Sequence, residues 1–305
     1  MSTLLIMLLA CGEEKTTAET TDTGTDTTET GTTLSDFVYL TEASNGDFSC
    51  FAGETGVVGS DIADSAWNTQ SVDSSLVEVI SVGAEVIDFE SDDPVEEAFV
   101  DVFFSNTISG EADSSGVSES DGSVTVDIQT CSPFSYRVYT DPAAEETKIT
   151  IEANTVEGPG ADSTEFNSVS VGTYQVIPAL LGISPDVDKG IVAGTFYGCD
   201  GVASSGGQVV VRDAAGNIPE SLVVKYFVDD FPHRDQEWTS EDGLWVAVNV
   251  PVGEWFVDVY VSDGAGGHIV KGTTKIVVVA DSINISNIYT GFGDGVFYPD
   301  GCLTE

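Results

Sequence analysis

Basic residues are scarce in this chain: Lys and Arg number 9 against 52 Asp and Glu, a formal net charge of -43 over 305 residues. So negative a surface excludes nucleic acid as a partner, because that binding rests on cations that neutralise phosphates. It also repels anionic lipid headgroups. Histidine is limited to His233 and His268. The segments His233-Arg234-Asp235-Gln236 and His268-Ile269-Val270-Lys271 lack the His-x-x-Glu spacing of a carboxypeptidase zinc site, and no His-Glu-x-x-His occurs. A Gly-x-Ser-x-Gly elbow is also missing. Both histidines are therefore expected on exposed loops, no catalytic residue is assigned, and the protein is read as a non-enzyme. A hydrolase, which would need a His within reach of a Ser or carboxylate, is a remote alternative. Apolar material is not lacking: 41% of residues are hydrophobic, with 15 Phe, 9 Tyr and 4 Trp, enough to bury a core.

Alternation with period two dominates from residue 35 onward. Ser123-Val124-Thr125-Val126-Asp127-Ile128, Tyr136-Arg137-Val138-Tyr139 and Lys148-Ile149-Thr150-Ile151-Glu152 are examples, each bounded by turn residues. Many short alternating strands predict an antiparallel sandwich or barrel. One stretch differs: Tyr174 to Gly182 reads as a short helix with Pro178 in its first turn and Gly182 ending it. Asp242-Gly243 is a hairpin turn signal. After it, Leu244, Val246, Val248 and Val250 should share one strand face. Pro251 and Gly253 make the next turn, and Trp255, Val257, Val259 and Val261 should line the returning strand.

The residues of 188–280 resemble the carboxypeptidase regulatory-like domain, a transthyretin-like β-sandwich. A weaker copy lies in Glu97 to Phe103, Ser118 to Val126 and Phe134 to Val138. The expected fold class is thus all-β, with two transthyretin-like, immunoglobulin-like sandwiches joined by a short helical connector. The boundaries are 1–10 for a signal peptide, 11–34 for a disordered tether, 35–157 for sandwich one, 158–187 for the connector and 188–305 for sandwich two.

The N-terminus reads as an address. Residues 4–10 form an apolar run of about seven residues, too short to span a bilayer and suited to a signal peptide. The sequence Leu8-Leu9-Ala10-Cys11-Gly12 resembles a bacterial lipobox, which implies that Cys11 is lipidated and inserts in a membrane. Gly12, not Asp, follows the Cys, and by the same resemblance this points to the outer membrane. Residues 13–33 are almost entirely Thr, Glu, Asp and Gly, which cannot offset their ordering entropy and so form a solvated tether. The whole is similar to the tethered two-domain lipoproteins of myxobacteria.

Four further cysteines, Cys50, Cys131, Cys199 and Cys302, are an even set in an exported chain, where disulfides persist. They allow three connectivities. Cys50 to Cys131 with Cys199 to Cys302 would close one loop in each sandwich, each contributing on the order of 4 to 5 kcal/mol; the other two would tie the sandwiches together.

Two binding chemistries are weighed. Acidic clusters at Glu90-Ser91-Asp92-Asp93, at Asp229-Asp230 with Asp235, and at Asp294 suggest Ca2+, but none has the spacing of a known calcium loop, and no metal ligand or cofactor is assigned. Trp238, Trp245, Trp255 and the run Tyr289 to Tyr298 are candidates for stacking on a glycan, with Trp245 and Trp255 expected in the core. The functional expectation is a lipid-anchored, structural or interaction protein of the cell envelope. The alternative is a carbohydrate-binding or calcium-dependent adhesion protein.

Overall fold

A computed structural model describes residues 32–34, 37–39, 46–49, 70–141, 143, 146–292 and 296–304. The signal peptide, Cys11, most of the tether, Cys50 and Asp294 lie outside the described residues. Along the chain the elements are β1 (Thr32–Thr33), β2 (Val79–Asp88), β3 (Phe99–Phe103), β4 (Ser114–Val117), β5 (Ser123–Gln129), β6 (Phe134–Tyr139), β7 (Thr147–Thr155) and β8 (Ser163–Ser170). After the helix α1 (Val171–Leu181) come β9 (Lys189–Tyr197), β10 (Gln208–Arg212), β11 (Asn217–Ile218), β12 (Val223–Val228), β13 (Phe231–His233), β14 (Leu244–Pro251), β15 (Gly253–Ser262), β16 (His268–Val278), β17 (Ser282–Ile285) and β18 (Ile288–Tyr289).

The first half is a sandwich because its strands are apolar on alternate residues. Val82, Ala84 and Val86 of β2 and Val124, Val126 and Ile128 of β5 are buried, while the residues between them face outward. Strands β5, β2 and β8 form one sheet, and β4, β3, β6 and β7 the other. Their inner faces meet over Val100, Val102, Phe134, Val138 and Phe166. Gly122 closes the turn before β5 at φ 79°, where a Cβ would meet the Val86 carbonyl oxygen at 2.8 Å.

The second half packs β10, β15 and β16 against β13, β12, β14 and β9. Its core holds Val192, Phe196, Val209, Val211, Trp245, Ala247, Val257, Val259 and Ile276. The antiparallel sandwich class expected from the sequence is what the chain adopts. Trp255, Val257, Val259 and Val261 do share the inner face of β15. Strand β14 departs from expectation. Leu244, Val246 and Val248 face outward onto a separate apolar layer, whereas Val250 turns inward with Trp245 and Ala247. The cause is a bulge between Ala247 and Val250, with Asn249 at φ 65°, which shifts the alternation by one residue. Asp242-Gly243 does make a turn, but not a hairpin: it leads from β13 to β14, and β12 lies between those strands.

Strand β17 is inserted parallel between β7 and β9, with Ser282 opposite Ile149 and Ile283 opposite Ile191. One sheet therefore runs from β13 to β4 through both halves. The stretch 158–187 holds β8, which pairs with β2 of the first sandwich, as well as the helix. Helix α1 begins at Val171, earlier than expected, because the Ser170 Oγ caps it by accepting from the Thr173 N–H at 3.2 Å. Pro178 consequently sits inside the helix, not in its first turn, and Gly182 ends it at φ 73°. Tyr174, Leu181 and Ile177 pack on Ile191, Val246, Val248, Phe227 and Ile283, the outward face of the shared sheet.

The opposite outward face of the second half is covered by the N-terminal segment. Leu34, Phe37 and Tyr39 lie on Val210, Tyr260 and Val270, and Phe48 stacks on Phe196 at 5.5 Å. Leu34 ends the stretch expected as tether, and Phe37, Tyr39 and Phe48 belong to the stretch expected in sandwich one, yet all four pack on the second half.

Candidate functional site

The tail 298–304 returns to the first sandwich. Tyr298 and Gln70 exchange hydrogen bonds, Leu303 bridges Val72, and Cys131 is disulfide-bonded to Cys302 with both side chains buried. The pairing that would have stapled each half separately is overturned for these two cysteines. The bond closes a separation of 171 residues and joins the β5–β6 turn to the tail. Sequence spacing could not show this, because the tail's return depends on β17 crossing the seam first. Cys199 is also disulfide-bonded.

The histidines are not brought together. His233 is exposed, and its Nδ1 accepts from the Asp235 N–H at 3.3 Å within its own turn. His268 stacks on Tyr39 at 3.5 Å between ring centroids, interplanar 2°. Burial lowers its pKa, partly opposed by Asp263. Among the described residues no three His, Cys, Asp or Glu converge on a point that could hold a metal ion. The acidic cluster at 88–93 serves its own turn: Asp88 accepts from the Glu90 and Ser91 N–H groups, and Glu90 accepts from the Thr173 hydroxyl. Trp245 is buried and Trp255 packs against the core, donating to the Pro251 carbonyl at 2.7 Å. In the flagged aromatic run, Tyr289 stacks between Tyr197 at 4.8 Å and Phe297 at 5.0 Å. Burial raises the Tyr289 pKa to about 12, with the Tyr197 and Glu152 charges adding to the shift.

Two buried polar clusters escaped the sequence. On the covered face of the second sandwich, Arg212 donates from Nε and Nη2 to Asp258 at 2.5 and 3.2 Å, with both side chains fully buried. Thr273 donates to the same carboxylate at 2.5 Å. In the first sandwich, the buried Tyr136 donates to the carboxylate of the half-buried Glu152, and the Asn167 amide approaches the same oxygen at 3.4 Å. Burial raises the Glu152 pKa, against the hydrogen bonds from Tyr136 and Asn167 that lower it. The only advance signal was a charged residue within an apolar strand, as in Val210-Val211-Arg212, which does not reveal its partner.

One open cleft of about 530 Å³ gathers the chemistry that is not used up in the core. Strands β6 and β7 give it Arg137, Tyr139, Lys148 and Ile149, α1 gives Val171 and Gln175, and the β16–β17 turn gives Asp281. Arg137 donates from Nε and Nη2 to Asp101 Oδ2 at 3.2 and 2.5 Å. Lys148 Nζ donates to Asp281 Oδ2 at 2.6 Å and lies 5.1 Å from the centroid of the Tyr174 ring. Asp281 takes φ 52°, and its N–H bonds the Lys189 carbonyl at 2.8 Å, which fixes the carboxylate at the rim. Lys148 thus ties β7 of one half to the turn that feeds β17, so the cleft and the seam share a residue.

No protein-family model matches the chain, and no curated protein matches it. Among solved structures it is similar to the Bacillus anthracis TIE protein, at 14% identity and TM-score 0.22 over 70% of this chain and 34% of that one. It is also similar to the shaft pilin SpaA from Lactobacillus rhamnosus GG, at 7% identity and TM-score 0.23 over 70% and 98%. The major pilin subunit BcpA of Bacillus cereus gives 8% identity and TM-score 0.21 over 70% and 100%. The chain spans about a third of the length of the first of these. At these identities and TM-scores the likeness assigns no family.

Proposed function

We propose that this protein is a non-enzymatic structural or interaction module of the cell envelope, exported and held to the outer membrane through a lipid on Cys11. The observation that carries the proposal is the buried Cys131–Cys302 disulfide, since such bonds form and persist outside the reducing cytosol. The tie between the halves, made of β17 and this bond, suits a part that bears load more than one that must open. His233 bonds within its own turn and His268 stacks on Tyr39 with Asp263 nearby, and among the described residues neither imidazole is hydrogen-bonded to a Ser hydroxyl or a carboxylate as a hydrolase would need. Within this proposal the second sandwich is of the carboxypeptidase regulatory-like type.

The test is fractionation of cells expressing the full chain. The Cys11→Ser variant should leave the membrane fraction for the soluble exported fraction, with its disulfide still formed. Continued membrane association would overturn the lipid anchor; a protein recovered reduced in the cytosol would overturn export.

A further inference from the structure

We propose that the cleft between β6, β7 and α1 binds a sugar ring that carries a carboxylate, such as a hexuronate. The first argument is charge. The chain carries -43 overall with only 9 basic residues, yet two of them, Arg137 and Lys148, line this one cleft, each matched by one carboxylate, Arg137 by Asp101 and Lys148 by Asp281. The cleft is thus close to neutral inside a negative surface, so a large polyanion is repelled by the surroundings, whereas a small ligand with one charge meets the least repulsion here.

The second argument is hydrogen-bonding capacity. Asp101 occupies the Nε and Nη2 of Arg137 through one carboxylate oxygen, and Asp281 occupies Lys148 through one. A guanidinium has five N–H donors and an ammonium three, so both cations keep donors to spare. The Arg137 side chain is 35% exposed and that of Lys148 21%, so a ligand can reach them. Gln175 adds an exposed amide from the second turn of α1. Donors therefore outnumber open acceptors, and the complementary ligand is rich in oxygen. The third argument is shape: about 530 Å³ falls within the range of small-molecule sites and accommodates one or two sugar rings, and Tyr139, Ile149 and Val171 offer apolar surface to the carbon skeleton. This site stands whether or not the protein is anchored by Cys11.

Titration of the isotopically labelled full chain with glucuronate, glucose and acetate, followed by NMR, tests it. Glucuronate should shift the Gln175 side-chain amide saturably, with millimolar affinity that weakens as salt rises. Glucose and acetate should each bind at least about tenfold more weakly, since each offers half of the recognised chemistry. Lys148→Met should lower glucuronate affinity about tenfold. Gln175→Ala, on the exposed side of the helix, should lower it about threefold with the thermal melt unchanged. Glucuronate that leaves the Gln175 amide unmoved, or glucose or acetate that binds as tightly as glucuronate, would overturn the proposal.

Discussion

Each sandwich carries one Arg–Asp pair across neighbouring strands of an outward sheet face, and the two pairs differ in what lies above them. Arg212 and Asp258 are fully buried, whereas the side chains of Arg137 and Asp101 keep 35% and 12% of their exposure. The donor geometry is alike: in both, Nε and Nη2 point at the carboxylate. The cover makes the difference. Residues of the N-terminal segment, Leu34, Phe37 and Tyr39, close over the sheet around Arg212, while the first sandwich leaves its pair at the mouth of a cleft. One pair has become part of the core, and the other remains able to meet a ligand.

The largest effect should come from the bond that holds the two halves in one unit. Replacing Cys131 and Cys302 together by Ala frees a loop of 171 residues, and the chain-entropy model puts the loss at about 5 kcal/mol. Urea unfolding should show the midpoint fall steeply, with the first sandwich unfolding ahead of the second. An unchanged midpoint would mean that β17 alone suffices to couple the halves.

Next come the two pairs themselves. Asp258→Ala leaves a buried guanidinium uncompensated and should cost about 3 to 5 kcal/mol. Asp101→Ala, at the half-open pair, should cost no more than about 1 kcal/mol. Comparable losses from the two substitutions would refute the claim that the N-terminal cover decides their roles.

A pH series separates buried from open carboxylates. Burial raises the Glu152 pKa, so the folded state holds its proton to higher pH than the unfolded chain does. That proton favours folding at low pH, and the advantage is lost as pH rises from about 4.3 through the raised folded value. Exposed Asp121 and Asp73 behave oppositely, since hydrogen bonds from Ser123 and Ser75 lower their pKa values and their contribution disappears as pH falls. Glu152→Gln should flatten the decline in stability between pH 4 and 7, measured by urea unfolding. A slope identical to that of the unsubstituted protein would show that Glu152 titrates as an exposed group does.

The comparison also explains what could be read ahead of the structure. Strands with one solvated face, such as β2 and β5, declare themselves by alternation, and the sandwich class follows from them. In β14 both faces are buried, so Leu244 to Val250 is a nearly continuous apolar run in which a bulge leaves no trace. The seam was hidden for a different reason. Ser282-Ile283-Asn284-Ile285 looks like any short strand, and nothing local says that it pairs with two strands from different halves. Of the cleft, Arg137, Tyr139, Lys148 and Ile149 lay on recognised strands, but their meeting with Gln175 and Asp281 depends on the helix and the seam together.

The smallest effect bears on the helix that walls the cleft. Ser170 ends β8 and caps α1 within a single residue, so its hydroxyl decides where strand becomes helix. Ser170→Ala should cost about 1 kcal/mol of global stability, the usual value of a lost N-cap. Its more specific consequence is fraying of the first turn, which would loosen Thr173 from Glu90 and tilt Gln175 away from Lys148. Hydrogen exchange at the amides of residues 172–175 should therefore accelerate more than exchange in β6, where Arg137 is held by strand pairing independent of the cap. Equal acceleration in both places would mean that the helix and the sheet wall of the cleft move as one, and that the cap stabilises the whole junction.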